Sequence, residues 1–438
     1  METWQARRPK LLFLAWTFPP VPTIGAVRTW NVAKSLARLG WEVTVVTPDP
    51  RLIPRPDNPE KTRTALAAEG IRQIFTDHHL RFLDPSRLIC RNQGLGWLVG
   101  GSFRRIASRL GISRGIGWIK AGERACAGLL PKDVDLILAS GPPFAPFVLA
   151  ERLSRKLRRP YVLDYRDPWW TEVTRMIRGL QPLIDRLERR LLAGSQAVTI
   201  VSPSWASDLN RRFKVSSKVH VITNGYDPDD LRDVKPHAFG HFAIVYAGIF
   251  YPPIRVVTPL LTALKRLAMN GMPREWRFHY YGGAGREVIA EAQHLGIEDH
   301  VKVHGTVPRA DALAAVKGAN LGVVIVSSLE QGSPEINGWV PAKLFETLGL
   351  GTPVLLIAPP GTDAESIGKP TGLLHRYTGQ DTEGIARFIE KQMSSAPFEY
   401  PNPVKFDSLT WRALGERLDG VLRDQLLGIE MKAYAESK

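Results

Sequence analysis

With 438 residues, 44% of them hydrophobic and 23% charged, the chain excludes wholesale disorder and is long enough for two large domains. Two cysteines, Cys90 and Cys126, exclude a disulfide framework and a four-thiolate zinc site. The formal charge is +15, and residues 1–240 hold 38 Lys+Arg against 22 Asp+Glu while the remainder is balanced; a one-sided basic surface favours nucleic acid, anionic lipid or a phosphorylated substrate.

The first predicted element is the apolar run 10–15, of strand length and too short to span a membrane. No small-residue cleavage site follows it and no longer apolar stretch occurs elsewhere, so the expectation is a cytoplasmic protein. A loop rich in Pro and Gly over 17–25 leads into helical spacing at Val27, Trp30, Val32, Ala33, Leu36, Ala37 and Leu39. Gly40 stops that helix, and 41–47 reads as a second strand. Strand, helix and buried strand in about 40 residues make a parallel βαβ unit. The pattern repeats through strands 135–140, 161–164, 197–201 and 219–222, with helices over 147–156 and 183–193. Residues 226–240 are polar and proline-bearing and read as a linker.

A second series follows, with strands 242–248, 277–281, 300–304, 320–326 and 353–357 and helices 257–269, 286–295, 311–317 and 341–349. A last αβ pair ends near 395, and 406–427 reads as an amphipathic helix. The prediction is an α/β protein of two doubly wound, Rossmann-like domains, 1–235 and 236–400, followed by a C-terminal segment 401–438. Ligands of such sheets sit beyond the carboxyl ends of the strands, so a central cleft faced by both domains is the expected site.

Several polar groups stand at those strand ends. Gly25 lies between the first strand and its helix, where a glycine either lets backbone N–H groups approach an anion or simply makes a turn. No G-x-G-x-x-G is present, which counts against a dinucleotide oxidoreductase. Asp164-Tyr165-Arg166-Asp167 follows a buried strand; Arg166 and an acid either face a ligand or pair with each other. Gly282 and Gly283 form a second strand-to-helix glycine loop, a phosphate cradle or a tight turn. In the stretch 330–355, a polar loop ends at Pro341, which suits a helix's first turn. Lys343 and Glu346 then share a helix face. A carboxylate there can accept two hydrogen bonds from a ribose diol and a lysine can neutralise a diphosphate, or the two are a plain salt bridge. The ten histidines lack metal-ligand spacing with acids or cysteines, so no metal site is expected.

Read in order, these stretches resemble the GT-B glycosyltransferases of the large retaining group called family 4. Pro20 to Gly25, Arg28 and "AKSLARLGWEVTVVT" are similar to the group's opening glycine loop, helix and strand. "SGPPF" with "RPYVLDYRDPW" is similar to its acidic loop, and "VSPSW" with "KVHVITNGYD" to the end of its first domain. "YAGIF", "FHYYGGAG" and "VKVHGTVPRADALAAVKGANLGVVIVSS" resemble the first half of its second domain, and "VPAKLFETLGLGTPVL" its donor helix. The sequence departs from the group at two places. Where the group often carries two glutamates with seven residues between them, Glu346 fits the second but Gly338 stands at the first, leaving Glu335 or Glu330 to supply a sugar-facing carboxylate. Where the group places an Arg and a Lys after the glycine matching Gly248, Ile249 and Phe250 follow and Arg255 is the nearby base.

The resemblance implies metal-independent transfer with retention of configuration and no cofactor beyond a nucleotide-sugar co-substrate. Glu346 would take the ribose, and Lys343 and Arg255 the diphosphate, with Gly248, Gly282, Gly283, Glu335, Gly338 and Pro341 around the donor. Asp167 and Arg166 would orient the acceptor hydroxyl or the sugar, and Gly25 and Arg28 would admit the acceptor or a phosphate. The last helix would cross back to the first domain. Alternatives of other classes are an inactive GT-B module that binds a sugar nucleotide or glycan, and a GT-B sugar-nucleotide epimerase. A nucleic-acid partner is not expected, since no finger, basic zipper or aromatic RNP motif is present. Segment 85–124 adds one more expectation. Arginines alternate there with Trp97, Trp118 and aliphatic residues, a mix that suits the headgroup layer of an anionic membrane and a glycan or lipid-linked acceptor held on its inner face.

Overall fold

Continuous apolar runs become central strands because both of their faces are covered. The computed structural model describes residues 7–21, 23–52, 58–77, 116–170, 181–270, 275–394 and 403–436. The chain folds as two units. The first holds residues up to Val201, Ala206–Thr223 and Leu414 onward; the second holds Ser202–Trp205 and Asn224–Ala413.

In the first unit seven parallel strands lie in the order β3-β2-β1-β4-β5-β6-β7. They are β1 (Lys10–Ala15), β2 (Glu42–Pro48), β3 (Arg72–Thr76), β4 (Leu136–Gly141), β5 (Tyr161–Tyr165), β6 (Ala197–Ile200) and β7 (Val219–Val221). Phe13 pairs with Val45 on one side and Leu138 on the other, and all three are fully buried. The last helix, Trp411–Glu436, joins this unit from Leu414 on. It buries Leu414, Leu418, Leu422 and Leu426 at four-residue spacing, each worth roughly 1.5–3 kcal/mol in apolar burial. Trp41 Nε1 donates to Asp419 at 2.6 Å, and Arg423 donates to the Leu39 carbonyl at 3.0 Å.

The second unit repeats the winding with six parallel strands in the order β10-β9-β8-β11-β12-β13. These are β8 (Phe242–Ala247), β9 (Trp276–Tyr281), β10 (Val301–Gly305), β11 (Leu321–Ile325), β12 (Val354–Ile357) and β13 (Leu374–Tyr377). One face buries Ile244, Tyr246 and Phe278 against Leu260 and Leu264 of the helix Thr258–Asn270. The other buries Val245, Val324 and Leu356 against Leu344, Phe345 and Leu348 of the helix Ala342–Gly349. In both sheets the chain leaves the middle in opposite directions, from β1 to β2 and β4, and from β8 to β9 and β11. The crevice beyond the carboxyl ends of those central pairs is where ligands of doubly wound sheets bind.

Two expectations need correction. Residues 226–240 are not a free linker. They contain the helix Pro228–Arg232, capped by Asp227, and bury Tyr226 and Leu231 in the second unit's core. His237 N–H also bonds the Ala314 carbonyl at 2.9 Å. Of segment 85–124, residues 85–115 lie outside the described residues. The described part is the helix Ile116–Ala125, where Trp118 and Ile119 are core rather than membrane-facing. Trp118 Nε1 donates to Thr76 Oγ1 at 2.5 Å, and its ring meets Trp16 edge-on at 5.8 Å.

Candidate functional site

At the carboxyl end of β8, Gly248 has φ +149°, a backbone conformation that favours glycine. A Cβ on it would stand 2.1 Å from Lys343 Nζ, so any side chain there would also displace the end of that lysine. Tyr280 at the end of β9 donates its hydroxyl to the Gly248 carbonyl at 3.0 Å and accepts from Ala284 N–H at 3.1 Å. A side chain at Gly282 would run into that same carbonyl at 2.1 Å. Gly248, Gly282 and Lys343, predicted from three separate motifs, therefore meet at one place. Gly283 sits beside them in open space, nearest Thr306.

Lys343 is the unusual group. Its Nζ is enclosed and has no hydrogen-bond partner; it lies 3.8 Å over the Tyr246 ring. Burial, and after it the charge of Arg255, hold its pKa well below the ordinary lysine value, with Glu346 offsetting part of the shift. A buried cation without an acceptor is costly unless something pairs with it. Arg255 comes from the turn after β8. Its Nε donates to the Val326 carbonyl at 3.4 Å, and its guanidinium lies near the rings of Tyr251 and Trp339 at 5.2 and 5.8 Å. Burial lowers its pKa as well. Pro341 is the N-cap of the helix Ala342–Gly349 rather than its first residue. Glu346, one turn beyond Lys343, is held by Arg309 at 2.7 Å. The alternative of a plain Lys343–Glu346 salt bridge is not formed; Glu346 pairs instead with a residue 37 positions away.

Gly338, where the resemblance leads one to look for a glutamate, lies against the indole of Trp205. A Cβ there would be 2.2 Å from the Trp205 ring. The ring is anchored by its Nε1, which donates to the Glu335 carbonyl at 3.0 Å. Glu335 itself sits in the short helix Pro334–Asn337, capped by Ser333.

In the first unit Gly25 and Arg166 come together. The guanidinium of Arg166 lies so close over Gly25 that a Cβ would be 2.0 Å from Nη1. Arg166 N–H bonds the Gly141 carbonyl at 2.8 Å, which ties β5's end to β4's. Burial pulls the Arg166 pKa down to about 10, against the opposing pull of Asp167 and Asp164. A cation and a helix start thus share one strand-end crevice, with Asp167 next in the chain. Arg28 is elsewhere. It is buried and pairs with Asp164 at 2.7 Å, and it also donates to the carbonyls of Ile222 and Thr223. Ser140 and Thr199 each donate to Asp164 at 2.8 Å. Burial pushes the Asp164 carboxyl up, but the Arg28 charge and these hydrogen bonds more than reverse it, so its pKa is lowered. The acidic loop therefore divides: Asp164 is a core ion-pair residue, and Arg166 and Asp167 stand at the crevice.

Glu188, on the helix Gln181–Gly194, was not singled out by sequence. It is fully buried, accepts from the Tyr165 hydroxyl at 3.2 Å, and leaves Oε2 without a partner among the described residues. Burial pushes its carboxyl up to about 8. Three of the histidines bond to each other: His241 to His279 at 2.8 Å and His279 to His304 at 3.0 Å. Among the described residues no group of three or more His, Cys, Asp and Glu is placed to hold a metal ion, and no helix is long and apolar enough to cross a membrane.

Comparison with known proteins agrees with this architecture. A glycosyl transferase 4-like domain matches residues 25–225, and the glycosyl transferases group 1 domain matches residues 241–394. Sucrose-phosphate synthase from Thermosynechococcus elongatus superposes with a TM-score of 0.65 at 14% identity, covering 96% of this chain and 100% of that one. Anabaena HepE, solved with UDP and glucose, gives 0.59 at 15%, covering 95% and 100%. A putative UDP-N-acetylglucosamine 2-epimerase from Listeria monocytogenes gives 0.53 at 12%, covering 96% and 97%. No curated protein matches the chain in sequence. With one glycosyltransferase domain matching most of the first unit and another most of the second, on two doubly wound parallel sheets, the chain belongs to the group 1, family 4-type glycosyltransferases of GT-B fold.

Proposed function

We propose that the protein transfers a sugar from a nucleotide-sugar to a glycan or lipid-linked acceptor with retention of configuration, without a metal, in the synthesis of a cell-surface polysaccharide or glycolipid. The observation that carries this reading is the enclosed, unpartnered amine of Lys343 under Gly248, at the switch point of the second unit's sheet. A diphosphate is the anion it lacks. Arg255 adds a second charge, Glu346 offers a carboxylate for the ribose, and the backbone amides of 332–340 offer donors to phosphate and sugar. Together they would stabilise the charge that builds on the departing diphosphate, which is the main electrostatic task of the transfer. HepE, which shares the fold, was solved with UDP, with UDP and glucose, and with UDP-glucose. On the first unit, Arg166 and Asp167 would orient the acceptor hydroxyl and Gly25 would admit the acceptor or its phosphate. The basic first half supports an acceptor held at an anionic membrane on the cytoplasmic side.

A thermal-shift panel of UDP-, GDP-, ADP- and dTDP-sugars tests the donor half. Ligand at about 100 times its Kd stabilises by roughly 2.7 kcal/mol, and a flat panel would refute it. The indole of Trp205 on Gly338 favours a second reading, a sugar-nucleotide or glycan-binding module without turnover. Product analysis separates the two, and free epimerised sugar nucleotide would instead identify an epimerase.

A further inference from the structure

Glu346 is held from outside its own helix. Its Oε1 accepts from both Nη2 and Nε of Arg309, at 2.7 and 3.2 Å. Arg309 opens the helix Arg309–Gly318, which follows β10. On its other side Arg309 Nη1 donates to Asp230 Oδ2 at 3.3 Å, on the helix Pro228–Arg232. Three elements distant in sequence thus meet at one guanidinium, which bridges the carboxylates of Glu346 and Asp230. The Glu346 side chain is 19% exposed and that of Arg309 46%, so the arginine covers the acid from the solvent side. Both bonds fall on Oε1, and Oε2 has no partner among the described residues.

A half-exposed pair of this kind adds little to folding. Its geometry does something else. A glutamate side chain has three rotatable bonds, and a guanidinium that grips one oxygen through two N–H groups holds that oxygen in place and restricts the rotamers open to the carboxylate. The second oxygen is left to a ligand. A ribose diol donates two hydrogen bonds to a carboxylate only if that carboxylate is held still, because a loose one gives back in lost freedom much of what the bonds gain.

We propose that Arg309 is a positioning residue that fixes the Glu346 carboxylate for the ribose of the donor nucleotide, with Asp230 anchoring Arg309 in turn. The proposal rests on the donor-site reading above. It is tested by calorimetric binding of UDP, GDP and ADP, each against its 2′,3′-dideoxy counterpart, to the full chain and to Glu346→Gln, Arg309→Ala and Arg309→Lys.

The expected result is that the wild type prefers the ribonucleotide by roughly tenfold to a hundredfold, the size of a lost charge-assisted hydrogen bond. Glu346→Gln and Arg309→Ala both erase that preference, the double variant loses no more, and Arg309→Lys recovers part of it. A merely structural role would lower the melting temperature of Arg309→Ala and leave the ratio untouched. If Arg309→Ala fails to fold, Asp230→Asn, which loosens Arg309 from the far side, is expected to weaken the preference. If the wild type discriminates and Glu346→Gln does not, while Arg309→Ala (or Asp230→Asn in its place) keeps full discrimination, the positioning role is overturned and the donor reading stands. If the wild type binds none of the three, shows no preference, or keeps its preference in Glu346→Gln, the ribose reading falls and this inference with it.

Discussion

Replacing Lys343 by methionine removes a charge and keeps an unbranched side chain of similar length under Gly248. In the free protein the amine is enclosed, rests on the Tyr246 ring and has no acceptor. Burial and the nearby Arg255 hold its pKa well below 10.5, against the weaker pull of Glu346. The fold therefore prefers the neutral amine, while the unfolded chain is protonated below about 10.5. The unfolded state binds more protons over that interval, so this residue's contribution falls as pH drops from there towards the folded-state pKa. Each unit of depression costs the free protein about 1.36 kcal/mol. Lys343→Met lifts that cost, and its melting temperature at neutral pH rises by about 2–4 °C per kcal/mol for units of this size. A diphosphate reverses the balance by supplying the missing acceptor and restoring the ammonium. Binding should take up as much as one proton, and Kd should rise by up to about tenfold per pH unit above the free-state pKa. Calorimetry of nucleoside diphosphate binding, between about pH 7 and 9 and in two buffers of different ionisation enthalpy, reads the proton count directly. Zero uptake throughout that range, together with a methionine variant that binds as well as the wild type, would refute the reasoning.

Asp164→Ala strands the Arg28 charge in the first unit's core and should lower unfolding stability by about 3–5 kcal/mol, seen as a shifted denaturant midpoint; a loss below 1 kcal/mol would mean water replaces the carboxylate. Glu188→Gln addresses a carboxyl whose pKa rises from 4.5 to about 8 on folding. Its stabilising contribution is complete below about pH 4.5 and is lost as pH rises through about 8, so the variant should show a flatter fall of melting temperature across that window, and an unchanged slope would contradict the assignment. Asp167→Asn should lower kcat with donor-nucleotide Kd nearly unchanged, because the carboxylate belongs to the first unit; equal effects on both would move it out of the acceptor role.

The central strands were legible because burial on both faces writes itself as unbroken apolar sequence, as in β1 and β4. β3 was not, since Arg72–Thr76 lies at a sheet edge with one buried residue, and such a strand needs no apolar run. Residues 226–240 look like a linker because the positions that reach the core, Tyr226 and Leu231 with Val234 and Phe239 packed against them, are widely spaced among polar residues and proline. Lys343, Gly248 and Gly282 could be named in advance, as each stands at a strand-to-helix junction. Their meeting at one point could not, because it depends on the order of strands in the sheet. Arg309 and Trp205 carry no local signal at all. One is an arginine opening an ordinary helix and the other a lone aromatic among serines at the start of a polar helix, and each matters only through a partner far along the chain. Arg28 shows the converse error, for a charged residue beside a glycine loop invites a ligand role that the buried Asp164 already fills.

The indole of Trp205 also constrains how this chain can change. A glutamate at position 338 would meet the ring before it met any sugar, so substitution there alone is blocked. If Trp205 first becomes small, the side chain at 338 gains room and the Glu335 carbonyl loses its donor. The two positions are therefore epistatic, with only one passable order: Trp205 must yield before Gly338 can acquire a carboxylate. A lineage that carries the indole is held to a glycine at 338, however strongly selection favours an acid there.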